Sequence, residues 1–438
     1  MKSSTSVYEV FTPTTPAKAS FIEREEVNDK LVDALRTPGT QLVVYGYSGS
    51  GKSTLLRNKL RQLYEHEVTT RCTSASSFDQ LMLSAFDDLN GYYISELQEK
   101  HTSTISASAK TTLASIRGEL SATASASSES SAKKTRILPP QLTAQNLAKL
   151  MGEANCCWVL EDFHKIEESE RTKLSQTMKV FMDMADDYKA VKVIAVGAVD
   201  SARQVVQYDP EMRTRIAEIH VPLMEPHELQ SIINLGTKIL KIAFSPSLTN
   251  KISHYANGLP AICHTLCLNV CQQNGIYEEV NTSVKFTDEE LEPALKKYLS
   301  NSSDTLKMAF EASLKQVRKG KYDHPKLIIH ALAQLSQDGA TKNELLRKIK
   351  KVEPTYTSRS FSGGMEKLCN AHRTPLIRFD ENSGKYSFID PLYRSFALAL
   401  NSEEPKTIFD LNIQDLLENV IFKITETSIK SQHARDPK

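Results

Sequence analysis

The stretch GYSGSGKST at residues 46–54, set directly after the apolar run QLVVY and before LLRNKLRQL, restricts this chain more than any other feature. Gly46, Gly49 and Gly51 let the backbone turn tightly and bring its N–H groups close to a bulky anion. Gly46, Gly51, Lys52 and Ser53 stand at the spacing G-x-x-x-x-G-K-[ST] of a phosphate-cradling P-loop, with Ser48, Gly49 and Ser50 inside it and Thr54 next to it as further nucleotide-binding candidates. Lys52 is placed to reach the β- and γ-phosphates of a nucleotide, and the Ser53 hydroxyl to hold Mg2+. The flanks agree: Thr40 to Tyr45 reads as a buried strand and Lys52 to Leu63 as a helix. ATP and Mg2+ are the expected ligands.

The totals bound what else the chain can be. Its 438 residues allow about three domains of ordinary size. A net charge of +1 gives no global field toward nucleic acid or membrane, so any such binding needs a local patch. The N-terminus MKSSTSVYEVFTPTTP lacks a signal-like apolar core, and no run approaches the ~20 apolar residues of a membrane span. A soluble, cytoplasmic protein without membrane partners is expected. Seven cysteines suit a reducing compartment. Cys263, Cys267 and Cys271 recur every four residues beside His264, a spacing read as helix core packing rather than a metal site.

Residues 1–20 are rich in Ser, Thr and Pro and are expected to be a flexible segment. Strand-like segments at 40–45, 67–72, 156–160, 191–196 and 218–221 alternate with helical ones at 52–63, 78–89, 143–151, 168–187 and 201–207. That alternation predicts an α/β fold, a doubly wound parallel-sheet ATPase core over 21–225. The Ser/Ala-rich stretch 101–136 has too few large apolar side chains to order itself and reads as a mobile insertion. Helical patterns at 226–243, 247–256, 261–274 and 288–300 predict an all-helical lid over 226–305. From about 320 to 401, three helices and a β-hairpin (PLIRF, ENSG, KYSFI) predict a C-terminal winged helix-turn-helix, and 402–438 is a tail without assignment.

A P-loop needs an acidic group for Mg2+ and, for hydrolysis, a carboxylate that orients water. The run CCWVLEDFH supplies both at the C-terminal end of a central strand: Glu161 for the metal and Asp162 for the attacking water. His164 follows two residues on, where it can couple the site to the next element.

With these residues in place the layout resembles the AAA+ and STAND branches of P-loop ATPases, particularly initiator-type (origin-recognition-like) ATPases and bacterial STAND-like regulators. FIERE at 21–25 resembles the F-V-G-R-E box; Arg24 and Glu25 match and Glu23 replaces the usual Gly, and the resemblance implies that Arg24 lies near the adenine. EDFH at 161–164 resembles a D-E-x-H Walker B motif with the two acids exchanged. KVIAVGAVDS resembles the strand that ends in a γ-phosphate sensor, with Gly197, Asp200 and Ser201 as alternatives. The segment 209–229 resembles the one carrying an arginine finger; Arg215 matches best and Arg213 next, against the alternative that both make surface ion pairs. NGLPAICHTL resembles the G-x-P turn of STAND lids, which implies that Gly258 and Pro260 sense bound nucleotide.

The winged unit offers Arg359 and Lys367 on its second helix, five cations between Lys342 and Lys351 on the first, and Arg373, Arg378 and Lys385 on the wing. Arg359, Lys367 and Arg378 are the candidate DNA contacts, while nearby Glu344, Glu353, Glu366, Asp380 and Glu381 leave a protein partner equally open. The expected function is a switch ATPase that assembles as a homo-oligomer or with a partner protein, presents the winged helix to DNA or protein, and acts as an initiator-, transposition- or defence-type regulator. The alternative is a non-hydrolysing, nucleotide-bound scaffold; a metabolic kinase is a weaker third.

Overall fold

The computed structural model describes residues 4–64, 66–99, 142–198, 214–314, 322–369 and 375–402, with backbone alone over 90–99. The expected insertion, the helix at 201–207 and the tail lie outside the described residues. The chain divides into two compact units, one holding Glu23–Ser48 and Leu55–Val221, the other Met1–Ile22, Gly49–Thr54 and Pro222–Lys438.

The first unit is built on a five-stranded parallel sheet of β1 (Gln41–Tyr45), β2 (His66–Arg71), β3 (Cys156–Glu161), β4 (Lys192–Gly197) and β5 (Ile216–His220), in the order β2-β3-β4-β1-β5. Val43 pairs with Ala195, Val159 with Ile194 and Leu42 with Ala217, so the apolar runs stack in register. Every residue of β4, and all but the last of β1 and β3, is buried, as expected of strands covered on both faces. The helices around it are α2 (Glu25–Arg36), α4 (Phe78–Glu99), α5 (Ala144–Glu153) and α6 (Glu168–Asp183). Trp158 is fully enclosed, its Nε1 donating to Thr70 Oγ1 at 3.0 Å. Lys192 is also fully enclosed; its Nζ donates to the carbonyls of Thr37 and, at 2.9 Å, Thr40, and burial pulls its pKa down to about 8.

Helix α3 (Lys52–Leu63) follows the P-loop and buries Leu55, Leu56 and Leu60. Although 21–225 was expected to form one core, Gly49–Thr54 group with the second unit.

In the second unit, α7 (Pro226–Leu240), α8 (Pro246–Ala256) and α9 (Pro260–Gln273) all start with proline at the first turn. Helix α9 buries Ile262, Cys263, Leu266, Cys267, Val270 and Cys271 and lies at the centre of the unit. β6 (Ala243–Phe244) pairs with β7 (Lys285–Phe286), and α10 (Leu291–Asn301) and α11 (Asp304–Leu314) follow. The C-terminal elements are α12 (His324–Ala333), β8 (Ala340–Thr341), α13 (Lys342–Val352), α14 (Ser358–Cys369), the hairpin β9 (Ile377–Asp380) and β10 (Lys385–Phe388), and α15 (Pro391–Leu400). Their short sheet has the order β8-β10-β9. The expected border between 226–305 and 320–401 is not a packing border. One apolar core runs through both, with Phe396 of α15 set 4.8 Å from Phe310 and 6.4 Å from Tyr298 between ring centroids.

The expectation of a flexible N-terminus is corrected. Residues 4–20 pack on the helices of the second unit through α1 (Val7–Val10), whose Val7 and Val10, with the following Phe11, are fully buried. Three apolar side chains in five residues, closed by a Ser6–Glu9 capping box, offset the ordering entropy. Among the described residues no helix is long and apolar enough to cross a membrane.

Candidate nucleotide-binding site

The P-loop glycines have conformations the motif requires. Gly49 (φ +75°) and Gly51 (φ +94°) sit in the left-handed region, where side chains are strained. Lys52, Ser53 and Thr54 form the first turn of α3. Ser50 is fully buried, and its hydroxyl has no hydrogen-bond partner among the described residues. A buried hydroxyl without a partner costs free energy unless a ligand satisfies it. A glycine-lined turn, a lysine, a serine at a helix start and that orphan hydroxyl together fit a polyphosphate with its Mg2+.

The turn 259–261 lies directly on this loop. A Cβ on Gly49 would stand 3.2 Å from that of Ala261, and one on Gly51 3.6 Å from Pro260 Cγ. The Ala261 N–H points at Gly49 O at 3.5 Å. Pro260, chosen from sequence, is thus brought to the P-loop, and Gly258 (φ +76°) turns the chain into it.

Sequence reasoning missed three residues at this turn. Asn257 is buried, with its Nδ2 donating to Pro391 O at 2.8 Å and its Oδ1 accepting from Arg394 Nη1. Asp390 caps α15 by accepting from Leu392 N at 2.7 Å. Burial raises the Asp390 pKa, and the charge of Lys52 opposes that rise, so this carboxyl lies within the field of the P-loop lysine. In sequence, DP before a helix signals only a cap.

In the sheet unit, Arg24 precedes α2 and is 9% exposed. Tyr45 and His220, partners across β1 and β5, stack 5.1 Å apart. Burial first, and then the Arg24 charge, lower the His220 pKa, so Arg24, Tyr45 and His220 cluster at the C-terminal ends of these strands. The unusual Glu23 is explained by Lys59, whose Nζ donates to its carboxylate at 2.6 Å.

Both acids expected to serve the metal and the attacking water are engaged. Glu161 meets Arg57 Nη2 at 3.3 Å and Arg71 Nε at 3.7 Å. Asp162 adopts a left-handed conformation (φ 59°) and pairs with Lys165 at 2.7 Å. Glu67 lies in the same cluster, its pKa raised by burial against the lowering charges of Arg57 and Arg61, with a smaller rise from the Glu161 charge. His164 belongs to the single turn that follows, Phe163–Lys165.

Of the sensor candidates, Gly197 ends β4 opposite Tyr45; Asp200, Ser201 and the second finger candidate Arg213 lie outside the described residues. Arg215 is exposed, donates to Asp183 at 2.9 Å, and its carbonyl accepts from Gln41 N. The three cysteines of α9 are buried; burial raises the Cys271 thiol to about 12 and lowers His264 to about 4, the signature of a packed core.

The DNA candidates are unevenly placed. Arg359 and Arg378 are exposed, whereas Lys367 is only half so. Helix α14 otherwise shows Ser358, Ser362, Gly363 and Glu366 to solvent, and Gly364 closes its inner face on α12, where a Cβ would stand 2.7 Å from that of His324. The fuller exposed basic row, Arg347, Lys350 and Lys351, is on α13.

A buried strand, a turn with left-handed Gly49 and Gly51, and Lys52-Ser53 opening a helix define a P-loop NTPase. More narrowly, the model of the family described as novel STAND NTPase 1 matches residues 10–283, over half of the sequence, and the chain belongs to that family. No curated protein matches the sequence. Among solved structures it is similar to a Walker-type ATPase of Pyrococcus abyssi, with 14% identity and a TM-score of 0.49 over 86% of this chain and 96% of that one. The ORC2 protein of Aeropyrum pernix in its ADPNP–ADP complexes shares 12% identity, with a TM-score of 0.48 over 89% and 96%. The RuvB Holliday junction branch migration motor of Thermotoga maritima shares 10%, with a TM-score of 0.39 over 87% and 97%.

Proposed function

We propose that this chain is an ATP- and Mg2+-binding switch ATPase whose nucleotide state governs how its C-terminal unit, read as a winged helix, is presented to DNA or to a partner protein. The observation that carries the reading is the turn 257–261. Its Pro260 and Ala261 abut Gly51 and Gly49 of the P-loop, while its Asn257 is hydrogen-bonded to Pro391 and Arg394 of α15. A phosphate that moves the loop therefore moves a turn already fastened to the C-terminal elements. Lys52 and Ser53 would hold the phosphates and Mg2+, Glu161 would add a carboxylate to the metal's ligands, and Asp162 would orient water. Arg215 leaves Asp183 to reach the nucleotide of a second copy, which makes assembly a condition for turnover. Such a device suits an initiator, a transposition regulator or a defence ATPase in the cytoplasm.

Steady-state ATP hydrolysis of the wild type, Lys52→Ala and Arg215→Ala, with and without duplex DNA, tests this. Loss of turnover in Lys52→Ala and Arg215→Ala, with rescue when the two are mixed, supports the assembling switch. A wild type that binds ATP yet turns over no faster than Lys52→Ala sinks it.

One observation favours a second reading, the non-hydrolysing scaffold. Glu161 is occupied by Arg57 and Arg71, and Asp162 by Lys165. Under that reading nucleotide stays bound through purification, and Arg215→Ala changes no rate.

A further inference from the structure

We infer that the N-terminal segment 4–20 is a positioning strap of the nucleotide site, with Phe11 and Ala17 as its two positioning residues; the inference rests on the nucleotide-binding reading above. The strap is anchored at one end on the helical lid. Val7 N donates to Tyr277 O and Glu279 N to Thr5 O, each at 2.9 Å, so the backbone is held on both sides. Phe11 is fully buried against α7, where Gly236 leaves its space: a Cβ there would lie 2.5 Å from Phe11 Cε1. The same ring meets His264 edge-on at 6.1 Å, and the next residue, Thr12, donates its N–H to His264 Nδ1 at 3.3 Å. Ser20 Oγ then folds the segment back by donating to Val10 O at 2.5 Å.

At its other end the strap reaches the P-loop helix. Ala17 is buried, and its N–H donates to Thr54 Oγ1 at 3.4 Å, two residues beyond Lys52. His264 lies one turn beyond Pro260 on α9. The strap therefore ties together the first turns of α9 and α3, the two helices whose leading ends meet where Pro260 and Ala261 touch Gly51 and Gly49. With the strap docked, the turn is held on the loop before nucleotide arrives, so less ordering is left to oppose binding.

Linkage makes the inference measurable, because docking and nucleotide must favour each other by the same factor. The bond after Lys18, an exposed strap residue, reports docking through trypsin cleavage. The test uses the full chain with ADP as probe. It compares wild type, Phe11→Ala, Ala17→Pro (which removes the N–H to Thr54 and fixes the local backbone) and Lys52→Ala, reading ADP affinity, cleavage after Lys18 and ligand-free thermal unfolding. The expected result is weaker ADP binding for Ala17→Pro, by up to about fivefold, the most that one hydrogen bond contributes, with ligand-free unfolding still cooperative, which shows that the variant folds. Phe11→Ala should weaken ADP more and speed cleavage, and ADP should slow cleavage in the wild type by the factor seen in affinity. The inference is overturned if Ala17→Pro binds ADP as the wild type does, or if ADP leaves cleavage after Lys18 unaltered. A wild type that binds ADP no better than Lys52→Ala removes the nucleotide reading itself, a separate failure.

Discussion

Arg394 and Asn257, separated by 137 residues, meet through a part-buried hydrogen bond from the guanidinium Nη1 to the amide Oδ1. The same guanidinium donates through Nη2 to Leu335 O at 2.8 Å, and the Asn257 backbone is left-handed at φ 52°. Asn tolerates that backbone better than most residues, and its amide serves Arg394 and Pro391 together. Asn257→Ala should leave a largely buried cation short of an acceptor and strain the turn, costing about 2–4 kcal/mol. Urea unfolding of wild type and variant checks the loss. Turnover that becomes less responsive to DNA in the same variant would tie the contact to the switch.

Gly258 offers a sharper test of the turn because two penalties act at once. Its φ is +76°, and a Cβ would stand 2.7 Å from Leu223 Cβ and 3.0 Å from the Met224 carbonyl. Gly275 has nearly the same φ, +72°, with open space around it. Gly275→Ala should therefore cost only the left-handed penalty of about 1 kcal/mol. Gly258→Ala should cost roughly 2–4 kcal/mol, because backbone as well as side chain must move. Equal losses for both in thermal unfolding would show that the turn adapts freely.

The sheet and the P-loop were legible in the sequence because their signals are local. QLVVY, CCWVLE and KVIAVG are buried on both faces, so their apolar runs mark strands without need of partners. The glycine spacing carries its own geometry. Asn257, Asp390 and Arg394 were not legible, since each has a sufficient local reading as a helix end, a cap or a helix surface residue, and their joint role appears only on folding. The segment VYEVF failed for a different reason: one helical turn is too short to establish a period, and its burial depends on Gly236, more than two hundred residues away.

His264 predicts acid sensitivity of a defined sign. Burial holds its folded pKa at about 4, below the ordinary 6.5, so between these values the unfolded chain binds a proton that the folded chain refuses. Its contribution is complete above pH 6.5 and is lost as pH falls toward 4. Protonation would also end acceptance from Thr12 N and loosen the strap. Unfolding free energies measured from pH 7 to 4.5 should fall by up to about 3 kcal/mol from this group. The His264→Gln variant should lack that part of the fall, and an identical profile would place the sensitivity elsewhere.

If the C-terminal unit grips DNA, the exposed charge favours α13 over α14 as the phosphate-contacting helix. Arg347, Lys350 and Lys351 are exposed, at spacings that place them on one side of α13. Its acidic residue Glu344 is occupied by its cap, accepting from Thr341 N and Oγ1 at 2.8 Å each. Helix α14 exposes Arg359 among serines, a glycine and Glu366. Reversing Arg347, Lys350 and Lys351 to Glu should abolish duplex binding at moderate salt. Replacing them by Ala should lower the slope of log affinity against log salt by about 2–3, the count of phosphate contacts removed. Arg359→Ala should weaken affinity less and alter that slope by no more than about one. Fluorescence anisotropy on a labelled duplex over a salt series reads both quantities. The reverse ranking would return the contact to α14, and a wild type that binds no duplex would leave a partner protein as what this surface meets.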